Sequence, residues 1–85
     1  MKIADFRKQI NSLQNSLDAY RGHTADEFLI ANVRLVLAPK INKINESIPS
    51  ISPRFSEDVA EAERIIFHAR EMIFSWVMKN YNSEV

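Results

Sequence analysis

The residues of this sequence best placed to do chemistry run from Tyr20 through Arg21, Gly22 and His23 to Thr24, with Ala25, Asp26 and Glu27 directly after them. Thr24 and Glu27 have the spacing of a capping box, in which hydroxyl and carboxylate satisfy free N–H groups at the start of a helix. The same N–H groups, beside Tyr20, Arg21 and His23, would also suit a small anion. Capping alone accounts for the pattern as well. A second basic group comprises Arg34, Lys40 and Lys43, with Arg54 beyond them. No helix-turn-helix pattern or aromatic-basic platform accompanies these cations, so polymeric nucleic acid is not the expected partner.

Other chemistries lack their parts. Phosphate-cradling loops of the P-loop or dinucleotide type need several closely spaced glycines, and Gly22 is the only one. His23 and His68 fall on separate segments, and the paired Glu-x-x-His motifs of a dinuclear helical site are absent. Glu57, Asp58, Glu61, Glu63 and Glu71 alternate with Arg64 and Arg70, as on a solvated helix face. Several serines occur without a motif that would hold one against a base. The expectation is a non-enzyme with no catalytic residue, metal site or cofactor.

With 85 residues the chain makes one domain, and one so small buries only about 60 to 65% of the surface its unfolded form exposes. No cysteine is present, so neither a disulfide nor a thiolate metal site can reinforce it. Association is the remaining device. Eleven basic residues balance eleven acidic ones, leaving no global field to draw the protein onto DNA or an anionic membrane. The N-terminal residues lack the apolar run of a signal peptide and no membrane-spanning stretch occurs, so a cytoplasmic protein is expected.

Three helical patterns must position these residues. Ile3, Phe6, Ile10, Leu13, Leu17 and Tyr20 form one narrow stripe, predicting a helix over 2–21, and Gly22 suits the left-handed position just past its end. A second helix is expected over 25–48, with Leu29, Val33, Leu37, Ile41, Ile44 and Ile48 on its seam and Phe28, Ile30 and Val36 widening the buried face. Pro39 predicts a kink or break near Ala38. Pro49 and Pro53 bracket a turn, after which a third helix over 54–80 starts from Ser52 or Ser56. Its seam is Phe55, Val59, Ala62, Ile66, Ala69, Ile73 and Val77.

The predicted fold is all-α: an amphipathic N-terminal helix on a long antiparallel helical hairpin. The third helix carries more apolar residues than one face needs, and Ile65, Phe67, Met72, Phe74 and Trp76 are the candidate interface, with a second copy of the chain as first partner.

From Tyr20 to Asn80 the layout resembles the helical-hairpin family of phage anti-CBASS proteins, sponges that sequester cyclic oligonucleotide signals. The likeness lies in the Tyr20-Arg21-Gly22-His23-Thr24 opening, the Val33-Arg34 pair and the Pro49–Arg54 turn. The resemblance implies a symmetric oligomer in the host cytoplasm that holds cyclic di- or trinucleotides between subunits. It also implies stacking on Tyr20 and phosphate contacts from Arg21, Thr24 and Arg54, with His23 completing the ligand-binding set. The reading from another class is a protein-interaction module, an inhibitor or adaptor, acting through its apolar C-terminal helix.

Overall fold

The structure is a computed structural model and describes residues 2–22 and 27–83, with side chains described as far as Lys79. Among the described residues every regular element is helical. Helix α1 spans Ile3–Tyr20, followed by α2 at Glu27–Asn32, a π turn at Val33–Leu37 and α3 at Ala38–Ser47. Single turns of 3-10 helix at Ile48–Ser50 and Pro53–Phe55 lead into α4 at Ser56–Ser83. Because α2, the π turn and α3 run on without interruption, the three expected helices are present. The expected start of the second helix at Ala25 lies outside the described residues.

On α1 the seam is as the spacing predicts: Phe6, Ile10, Leu13 and Leu17 are buried, with Ile3 and Tyr20 half-buried at its ends. This stripe lies against both α3 and α4. Leu37, Ile41 and Ile44 face it from one side, and Ala62, Ile66 and Ala69 join the same core from the other. Gly22 takes φ +83°, the left-handed conformation that glycine alone adopts without penalty, and so ends the α1 turn.

The π turn has a cause that can be read from the seam. Leu29, Val33, Leu37 and Ile41 are all buried, each four residues from the next. In an α-helix every such step overshoots a full turn by roughly 40°, so three steps would carry the seam about 120° around the axis. One extra residue in the turn sets it back by about 100°. The amide of Ala38 accordingly reaches five residues back, to the Val33 carbonyl. Leu35 swings outward and is 78% exposed. The wider turn also accommodates Pro39, which has no N–H for the Leu35 carbonyl and would crowd it in a regular helix. The irregularity expected near Ala38 is therefore a π turn, and the helix continues through it.

The later seams depart from expectation in two places. Phe28, expected to widen the buried face of the second helix, is exposed. On α4 the seam steps from Ile73 to Trp76 and leaves Val77 largely exposed. The indole accounts for this shift, since its large ring meets Tyr20 of α1 edge-on, with centroids 6.3 Å apart and planes at 81°. At the start of α4 neither candidate serine prevails by a side-chain bond. Ser52 is extended, and its carbonyl accepts the Phe55 amide at 2.9 Å to close the 3-10 turn from which Ser56 begins the α-helix. No helix among the described residues is long and apolar enough to cross a membrane.

Candidate functional site

The residues expected to meet a ligand are distributed along the molecule. Tyr20 ends α1, and its hydroxyl donates to Asn32 Oδ1 at 3.0 Å while its ring packs on Trp76. Asn32 in turn donates from Nδ2 to the Phe28 carbonyl at 2.8 Å. Tyr20 thus ties α1 to α2 and α4. Arg21 is exposed, with one guanidinium nitrogen 3.5 Å from Asp18. His23 and Thr24, and with them the capping box, lie outside the described residues.

Arg54 stands at the other end of α1. Its guanidinium lies over the Phe55 ring, 4.7 Å from the centroid, and that of Arg7 lies 5.8 Å from the same ring. Arg7 also holds Asp58 in a two-point pair, Nε to Oδ1 at 3.0 Å and Nη2 to Oδ2 at 3.2 Å, bonding α1 to the first turn of α4. This fork lowers the Asp58 pKa from the ordinary carboxylate value, chiefly through the hydrogen bond from Arg7, and raises that of Arg7. Arg7 and Tyr20 are separated by roughly 20 Å of helix. Within one chain, Tyr20 and Arg54 therefore do not share a pocket.

The expected interface residues divide into two sets. Ile65 and Trp76 belong to the chain's own core, 4% and 7% exposed, and Met72 is half-buried against it. Ile65 and Trp76 leave the candidate interface because the seam of α4 turns them into the chain's own core. Phe67 and Phe74, 64% and 68% exposed, point outward. They are two helical turns apart and share a face, which Met78 extends by one turn, with Val77 alongside.

One cluster escaped the sequence reading. Between α1 and α3 runs a groove of about 580 Å³ lined by Asp5, Lys8, Gln9, Ser12, Lys40 and Lys43. A shallower stretch of about 440 Å³ continues it past Asn11, Asn15 and Ser16, sharing Lys8, Ser12 and Lys40. The Lys40 ammonium donates to Ser16 Oγ at 2.6 Å and to the Ser12 carbonyl at 3.4 Å. Lys40 and Lys43 stood out in the sequence as part of a basic group, but Lys8 sat among the polar residues of α1. Only the packing of α1 on α3 brings the three together.

Comparison with protein-family models, with curated proteins and with solved structures finds no match to this chain.

Proposed function

We propose that this chain is a non-catalytic binding protein that works as a helical interaction module, engaging another protein through the outer stripe of α4. The observation behind this reading is the exposed row of Phe67, Phe74 and Met78, flanked by Val77. Single exposed apolar residues are ordinary, whereas an aligned row of aromatic and methionine side chains has the composition of a protein-binding surface. A groove on a partner would read this row at the i, i+7, i+11 spacing of a docked helix. The test is affinity retention from a cell extract on immobilised protein, comparing the native chain with the double variant Phe67→Gln, Phe74→Gln. A protein held by the native chain and released by the variant, with circular dichroism unchanged, is expected. Identical retention on both would end this reading. A second copy of the chain is another possible occupant of the stripe, and a solution mass twice the 9.8 kDa of one chain, lost in the same variant, would identify it.

The second reading is a sponge for cyclic di- or trinucleotides. Arg54 favours it, because its guanidinium is stacked on Phe55, exposed, and without an acidic partner among the described residues. Calorimetric titration with these nucleotides should then show saturable binding that Arg54→Ala weakens, with the ligand recovered intact. No binding across the panel would exclude the sponge and leave the interaction module untouched.

A further inference from the structure

The three ion pairs among the described residues, Arg7–Asp58, Arg21–Asp18 and Arg64–Glu61, all use arginine. Lys8, Lys40 and Lys43 have no carboxylate at ion-pair distance among those residues, and they converge on one groove from two helices. Asp5 is the sole acid of the groove, leaving an excess of two positive charges along its walls. Two neutral oxygens, Ser16 Oγ and the Ser12 carbonyl, hold the Lys40 ammonium in place without cancelling its charge. Besides Ala19, the remaining lining residues carry amides and hydroxyls: Gln9, Asn11, Asn15 and the two serines. Such groups can replace the hydration shell of an anion's oxygens. The volume is in the range of small-ligand sites.

We propose that the groove between α1 and α3 is a binding site for a compact anion carrying at least two phosphate charges, such as a di- or triphosphate group. Lys40 supplies a fixed cation, and Lys8 and Lys43 close on the ligand from opposite walls. No aromatic side chain lines the groove, so recognition is of phosphate rather than of a base. The site is separate from the α4 stripe and from Arg54, so it stands or falls independently of both functional readings.

The experiment is calorimetric titration of the full chain with inorganic tripolyphosphate, and in parallel with a nucleoside triphosphate, at low and at high salt. Comparable binding of the two, weakening with salt, is expected. Lys8→Gln and Lys43→Gln should each reduce affinity by about tenfold, the effect of losing one charge-assisted bond. Lys79→Gln, which removes the same charge from α4, should leave affinity unchanged. Absence of tripolyphosphate binding would overturn the proposal. So would binding of the nucleotide alone, which would place recognition in the base and sugar, or equal losses in the groove and Lys79 variants, which would reveal diffuse attraction only.

Discussion

The Tyr20 hydroxyl donates to Asn32 Oδ1 at 3.0 Å. Since the same ring forms a T-shaped pair with the Trp76 indole, one side chain at the end of α1 makes a polar tie to α2 and an apolar contact with α4. The two contributions can be separated by mutation. Tyr20→Phe keeps the ring and loses the bond, and should lower stability by about 1 kcal/mol. Trp76→Ala removes the indole from the core and should cost roughly 3 to 5 kcal/mol. Urea unfolding followed by circular dichroism measures both, and equal losses would mean that the ring contact contributes little.

The Arg7–Asp58 fork predicts a dependence on pH. Because Arg7 lowers the Asp58 pKa in the folded chain, the pair's contribution is present above the carboxylate's ordinary value of 3.8 and is lost as pH falls through the lower folded value. Thermal melts of the native chain and Asp58→Asn, taken from about pH 7 to about pH 3, should converge at the acid end. Both side chains are solvent-accessible, so the difference at neutral pH should be small and diminish with salt. A difference that grows toward low pH would contradict this account.

The π turn makes a sharper prediction. Deleting Leu35 changes the spacing of the second helix's seam from 4-4-4-3 to 4-3-4-3 with Leu29, Val33, Leu37, Ile41 and Ile44 all retained, which suits an unbroken α-helix. The deletion alone sets Pro39 against the Arg34 carbonyl, now four residues before it. Combined with Pro39→Ala, it should give a folded chain more stable than the single deletion by about 3 kcal/mol, the cost of an interior proline. Denaturant midpoints of the two variants provide the measurement. Equal midpoints would mean that the turn exists for some reason other than the proline and the drifting seam.

Ala62 and Ala69 are fully buried on the α4 seam, where only a small side chain fits beneath the neighbouring helices. Ala69→Leu should cost about 1 to 3 kcal/mol through overpacking. Phe74→Gln, on the outer stripe, should change stability by less than about 0.5 kcal/mol. Thermal melts of the two variants test which face of α4 is structural. If the Phe74 variant proved the less stable, the assignment of faces would be reversed.

The α1 seam was legible in the sequence because a narrow apolar stripe admits one orientation, and Phe6, Ile10, Leu13 and Leu17 occupy it. On α4 the sequence offered too many apolar residues, and periodicity could not decide whether Trp76 or Val77 faced inward. The choice depends on Tyr20, which is 56 positions earlier than Trp76 in the chain. For the same reason Ile65 and Trp76 read as interface residues, since local pattern does not reveal which partner covers a side chain. The groove cations were partly visible, but Lys8 gains significance only beside Lys40 and Lys43. The separation of Arg54 from Tyr20 follows from the direction of the chain along α1 and is invisible in a linear motif.

The extents of the molecule, 49 × 19 × 15 Å, place it far from a sphere. An elongated body of this kind tumbles faster about its long axis than end over end. Because helical N–H bonds lie nearly parallel to the helix axis, those of α4 should relax differently from N–H bonds in the Ile51–Ser52 link that point in other directions. Hydrodynamically the protein is a short rod, and a sphere-calibrated sizing column would overstate its mass even with a single chain in solution. A mass obtained by light scattering or sedimentation equilibrium, which do not depend on shape, is the appropriate basis for counting copies.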